Sequence, residues 1–142
     1  MTFRGKLIHG APCVTARIRF SGIHGTVRLV VDTAAARTTL LDWDLGWLQV
    51  PPDLLEPAKD PMLGIGGATR YSLLRDVEIA LESSDGLISF RQDVCALRHN
   101  VEGLSPSLAT RILELPSFLG RDILNRFRLV YEYATGTVLL ER

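Results

Sequence analysis
The sequence predicts a single all-β domain, closed or nearly closed into a barrel, with two or three short helices. Two patterns carry that prediction. Apolar residues alternate with polar ones through Cys13 to Phe20. They do so again from Arg70 to Leu81, where Val77, Ile79 and Leu81 fall on one face. That period of two belongs to half-buried strands. Turn signals punctuate the runs at short intervals: Ser21 to Gly25, the Asp85-Gly86 pair, and Ala134 to Gly136. Short, regularly interrupted strands of this kind satisfy their edges by closing on one another.

The elements follow in chain order. Cys13 to Phe20 is a strand, and Ser21 to Gly25 turns it back. Thr26 to Val31 is β-branched and nearly all apolar, the composition of a buried central strand, and it runs straight into Asp32 and Thr33. Thr38 to Leu48 suits a short helix ending near Gly46, with Trp43 and Trp47 four apart on one face as core or interface residues. Residues 51 to 61 hold four prolines and read as an extended connection. Met62 to Thr69 is glycine-rich. Arg70 to Leu81 and Leu87 to Leu97 form a strand pair about the Ser83 to Gly86 turn. Ser105 and Pro106 make a helix start, with Ser as N-cap and Pro at the first helical position, and Leu108, Ile112 and Leu115 then recur at helical spacing. Asp122 to Phe127 is a second short helix. Arg128 to Tyr133 and Thr137 to Leu140 close the chain as a hairpin.

Composition narrows the function classes. The 142 residues fit one core and one domain over residues 1–142. Apolar residues make up 46% and charged residues 23%, an ordinary globular balance. Sixteen basic and sixteen acidic residues cancel, so no basic footprint points to nucleic acid. No apolar run approaches the ~20 residues of a membrane span, and the first ten residues lack the apolar stretch of a secretory leader. Cys13 and Cys95 are too few and too far apart for a metal-binding pair or a disulfide framework. His9, His24 and His99 show no ligand spacing either. The expectation is a cytoplasmic protein with no metal, no cofactor, no nucleic-acid partner and no membrane contact.

The chemistry concentrates at Asp32. A carboxylate at the end of a buried apolar strand is costly unless it is paired or hydrogen-bonded. By itself it is also an ordinary turn residue. Two further segments change its weight. Gly64, Ile65, Gly66, Gly67 and Ala68 lie between strand-like runs, and Phe118, Leu119, Gly120, Arg121, Asp122, Ile123 and Leu124 precede the last hairpin. The glycine run is no phosphate loop: strand follows it rather than helix, and no Gly-Lys-Ser/Thr is present. An ordinary glycine-rich hairpin turn remains open for it.

Taken in order, Val30-Val31-Asp32-Thr33-Ala34-Ala35, then Gly64 to Gly67, then Phe118 to Leu124, the chain resembles the retropepsin-like aspartic proteases, and bacterial members of that group most. The resemblance spans about residues 10 to 140. It implies the acid-protease closed β-barrel and a homodimer acting on a peptide or protein substrate. It makes Asp32 the catalytic carboxylate. Thr33, Ala34 and Ala35 become the active-site loop that positions the dimer. Ile65, Gly66 and Gly67 become a substrate-facing flap. Gly120, Arg121 and Asp122 become structural support.

In that chemistry two carboxylates share a proton, and one activates a water. The chain holds one such Asp element. Asp122 falls at a helix start, where a carboxylate serves the dipole and cap. The second catalytic Asp is therefore expected from a second copy. Two departures stand out. The acid that usually pairs with the arginine is missing from residues 35–38, which leaves Arg121 to Asp42, Asp44 or a backbone carbonyl. Position 34 is Ala where the resemblance calls for Gly. If its backbone needs positive φ, the Cβ brings strain, and the alternative is a degenerate homodimer that binds peptides without cleaving them.

Overall fold
In the computed structural model, which describes residues 1–142, the chain opens with two short strands, β1 (Thr2–Arg4) and β2 (Lys6–Ile8). The alternating run becomes β3 (Ala11–Phe20), whose inward face is Val14, Ala16, Ile18 and Phe20. Ser21 and Gly22, both at positive φ, turn the chain, and β4 (Ile23–Val31) starts at once. The turn is thus shorter than Ser21 to Gly25. Along β4, Val27, Leu29 and Val31 are buried while His24, Thr26 and Arg28 are exposed. This strand is half-buried, not buried on both faces as its composition suggested.

After the loop that holds Asp32 come β5 (Thr39–Leu40), α1 (Asp42–Trp47) and a single 3-10 turn, Pro52–Leu54. Then follow β6 (Glu56–Pro57), β7 (Met62–Gly64), β8 (Gly67–Thr69), β9 (Ser72–Ser83) and β10 (Gly86–Ala96). The final third holds α2 (Pro106–Leu113), β11 (Phe118–Leu119), α3 (Arg121–Leu124), β12 (Arg128–Glu132) and β13 (Thr137–Glu141).

Six strands close a ring in the order β3, β4, β11, β5, β10, β9 and back to β3. The closing seam pairs Arg17 with Ala80, Ile18 with Ile79 and Arg19 with Glu78. Closure removes the free edges an open sheet would leave. The interior is filled by Ile18, Leu29, Leu40, Leu74, Val77, Ile79, Leu81, Val94 and Leu119, each at most 1% exposed. Val77, Ile79 and Leu81 therefore share the inward face that their spacing assigned to them. β1, β13 and β12 make a separate three-stranded sheet. Cys13 and Cys95 are buried free thiols, and no helix is long and apolar enough to cross a membrane.

The segment after β10 straps α1 from both ends. Asp42 accepts the His99 backbone N–H at 2.8 Å and also contacts the His99 ring, while Arg98 donates to the Val50 carbonyl at 2.9 Å. Ser105 caps α2 as its sequence proposed, its hydroxyl accepting from the Leu108 N–H at 3.2 Å. Yet α2 buries none of its residues, and Leu108 and Leu115 remain exposed. Trp43 and Trp47 are 64% and 67% exposed, so neither indole belongs to the core.

Candidate active site
β4 delivers Asp32 to the place where the barrel wall is interrupted. The chain leaves β4 at Val31, loops out through residues 32–38 and rejoins the wall only at β5. β11 fills the gap, parallel to β4 and antiparallel to β5, with Phe118 opposite both Val30 and Thr39. The Val30 N–H donates to the Ser117 carbonyl at 2.9 Å and the Asp32 N–H to the Leu119 carbonyl at 3.1 Å. The backbone of Asp32 is therefore fixed by a strand about ninety residues further along the sequence.

Its side chain is fixed by its own loop. Asp32 Oδ1 accepts from the Ala34 N–H at 2.9 Å and the Ala35 N–H at 3.3 Å. This is the Asx-type geometry that lets an aspartate organise a turn. The residue is half-buried, whereas Thr33 and Ala34 are exposed. The Thr33 hydroxyl takes no hydrogen-bond partner within the chain. Ala34 is not among the positive-φ residues, which are His9, Ser21, Gln49 and Asp76. Its Cβ therefore meets no left-handed backbone strain.

Arg121 clamps the loop from behind. One guanidinium nitrogen donates to the Thr33 carbonyl at 3.0 Å and the Ala34 carbonyl at 2.9 Å. The Arg121 N–H donates to the Ala35 carbonyl at 2.8 Å and the Asp122 N–H to that of Ala36 at 3.2 Å. Of the three partners open to Arg121, the backbone carbonyls are the ones it takes. Asp42 is engaged with His99, and Asp44 lies against Ser117, where burial pushes its carboxyl up from the ordinary value.

Asp122 does something other than cap α3, whose N-cap, Gly120, carries no side-chain bond. Its carboxylate accepts from the Thr38 N–H at 3.0 Å, the Thr38 hydroxyl at 2.8 Å and the Gln92 side-chain amide at 2.7 Å. It ties the end of the loop to β10. The Thr38 hydroxyl in turn accepts from the Gly120 N–H at 3.1 Å. Gly120 is required by contact: a Cβ there would lie 2.4 Å from the Arg37 carbonyl carbon and 2.8 Å from the Thr38 nitrogen.

Thr38, Thr39 and Ser117 are the buried polar residues of the chain, and all three stand under this loop. The Ser117 hydroxyl accepts from the Leu41 N–H at 2.9 Å, and Thr39 donates to the Arg37 carbonyl at 3.2 Å. Sequence reasoning missed Thr38, Ser117 and Gln92. Two adjacent threonines ahead of an apolar stretch were the available signal for the first.

Residues 32–35 and 120–122 thus form one cluster. Ile65, Gly66 and Gly67 lie apart from it. β7 and β8 pair only with each other, Met62 with Thr69 and Gly64 with Gly67, in a two-stranded ribbon with Ile65 and Gly66 at the tip. Gly67 has φ +101°, and Leu63 and Ile65 are fully or almost fully exposed. No hydrogen bond joins the ribbon to the Asp32 loop.

No family model matches the sequence, and no curated protein matches it. Solved structures do. One is the crystal structure of a retropepsin-like aspartic protease from Rickettsia conorii. It is 16% identical, with a TM-score of 0.58 over 99% of this chain and 88% of that one. Another is the EIAV protease in complex with an inhibitor, 14% identical, with a TM-score of 0.51 over 82% of this chain and 86% of that one. With its six-strand barrel, interrupted wall and separate hairpin, the chain has the retropepsin-like aspartic protease fold.

Proposed function
We propose that two copies of the chain pair about a two-fold axis and hydrolyse peptide bonds as an aspartic endopeptidase, each contributing Asp32. The observation that carries this reading is the construction of the Asp32 loop. One carboxylate oxygen is held by two backbone N–H groups, and the two following carbonyls are clamped by Arg121. Rigid placement of a partly solvated carboxylate is what a dyad requires. The free hydroxyl of the exposed Thr33 supports the pairing, since it is available to bond across the axis.

A lone carboxylate cannot be base and acid in the same step; two can. Like charges a few ångströms apart disfavour double ionisation, so the pair holds one proton. The ionised member takes a proton from a water between them, and the water oxygen attacks the peptide carbonyl carbon. The protonated member delivers its proton to the carbonyl oxygen. The tetrahedral diol then collapses as the C–N bond breaks and the leaving nitrogen is protonated. The β7–β8 ribbon is the lid in this reading, with Ile65, Gly66 and Gly67 against the peptide backbone. Substrates carry apolar side chains around the scissile bond.

The test is digestion of a diverse peptide mixture across acidic to neutral pH, read by mass spectrometry, with Asp32→Asn as control. Cleavage that vanishes in Asp32→Asn supports the reading; equal cleavage by both forms sinks it. The exposed Ala34 favours one other reading, the homodimer that binds peptides without cutting them. A silent wild type that gains activity on Ala34→Gly establishes that second reading. Unchanged activity shows that Ala is accommodated.

A further inference from the structure
We propose that the outer wall of the barrel carries a binding site for a phosphoryl-sized dianion, built by Arg4, Lys6 and Arg28 with the Thr15 hydroxyl. The inference is independent of the proteolytic reading. The strand register brings the residues together. Lys6 on β2 is opposite Cys13 on β3, and Thr15 on β3 is opposite Arg28 on β4. Cys13, Thr15 and Arg28 lie on the outward face, because Val14, Ala16, Val27 and Leu29 point inward. Arg4 reaches the same place through the tight connection at Gly5, where a Cβ would lie 2.2 Å from the Cys13 carbonyl oxygen.

These residues, with Ile8, line a pocket of about 110 Å³ that contains no acidic side chain. None of the three cations forms an ion pair. The nearest acids are otherwise placed. Glu82 holds Arg17 at 3.1 Å, Asp85 shares only a neighbouring groove with Arg4, and Asp44 faces Arg28 without pairing. The charges of Arg28 and Lys6 both bear on the buried Cys13 thiol.

Three like charges around one small pocket repel one another until an anion joins them. Guanidinium groups match the oxygens of a phosphoryl group in pairs, an ammonium adds a point charge, and a hydroxyl adds a donor. The pocket is of a size to admit a tetrahedral oxyanion. Free phosphate and a phosphomonoester share this chemistry.

The experiment is titration of the full chain with inorganic phosphate at about pH 7.5, where the dianion predominates. It is followed by calorimetry and by backbone amide shifts. Saturable one-site binding with Kd below about 5 mM is expected, with shifts centred on Arg4, Lys6, Thr15 and Arg28. Arg28→Gln should weaken it at least about tenfold. Arg111→Gln, which removes the same charge from α2, should change it by less than about twofold. Lys6→Gln replaces Arg28→Gln if that variant does not fold. Linear shifts reproduced by sodium chloride at equal ionic strength, or equal losses in the Arg28 and Arg111 variants, overturn the proposal. O-phosphoserine separates the sources: tighter binding than phosphate assigns a phosphomonoester, equal or weaker binding the free ion.

Discussion
At the residue scale, two carboxylates of the site do opposite work, and substitution should separate them. Asp122 accepts from three donor groups, two of them on the buried Thr38. Truncating it leaves those donors unpaired, so Asp122→Ala should cost about 2–4 kcal/mol in denaturant unfolding. Asp32→Asn keeps an oxygen for the Ala34 and Ala35 N–H groups and should change stability by less than about 1 kcal/mol, while abolishing cleavage. Gly120→Ala drives a methyl into the Arg37 carbonyl, and a loss of about 3 kcal/mol or more is expected. Burial, the leading cause, raises the Asp44 carboxyl above the ordinary value, against the opposing bond to Ser117. The folded chain therefore holds that proton more tightly than the unfolded chain. Stability from this group is complete below the unfolded value and is lost as pH rises through the folded one. Asp44→Asn should raise Tm at neutral pH, with the gain shrinking as pH falls through the raised folded value and gone below about pH 4. A gain that is the same at both pH values would show that Asp44 is not the titrating group.

At the scale of elements, legibility followed length. β3, β9, β10 and the last hairpin were visible because each spans several periods of alternation, and α2 because Ser105 and Pro106 mark its start. β5, β6 and β11 each hold only two residues and carry no period at all; they exist because a neighbouring strand supplies the hydrogen bonds. That is why Asp32 could be singled out from sequence while Thr38 and Ser117 beneath it could not. Helical spacing put Trp43 and Trp47 on one face as core or interface residues, and their exposure removes only the core, since periodicity says which residues share a face and not whether anything covers it. The β7–β8 ribbon shows the converse: glycine content announced a hairpin, and its isolation from the barrel is a property of topology. At φ +101° with open space around it, Gly67 should tolerate Ala sterically but not conformationally. Gly67→Ala should leave the global Tm within about 2 °C, because the ribbon contributes nothing to the core. If the ribbon is the lid, cleavage falls severalfold in the same variant. Unchanged cleavage would remove it from the mechanism.

At the scale of the whole molecule, the barrel is complete in one chain, whereas the proposed chemistry needs two. The outer wall sets an acid limit. Asp93 is held below the ordinary carboxylate value, first by the Asp76 N–H and then by Arg75, and Glu56 is held low by Arg75. Such groups stabilise the fold above their unfolded values, and the contribution is lost as pH falls through the lowered folded ones. Any cleavage at acid pH should therefore weaken below about pH 4, as these groups protonate. The two-copy requirement has a sharper signature. If every active site takes one Asp32 from each chain, mixing wild-type chains with Asp32→Asn chains produces mixed dimers holding a single catalytic carboxylate. Free exchange at an equal ratio then leaves about one quarter of the sites intact. Activity should follow the square of the wild-type fraction at constant total protein. The same assay at falling total concentration should show the rate per chain dropping as dimers dissociate. A linear dependence on wild-type fraction, with a rate per chain independent of concentration, would place a complete site within one chain. The second carboxylate would then have to come from a residue other than the partner's Asp32.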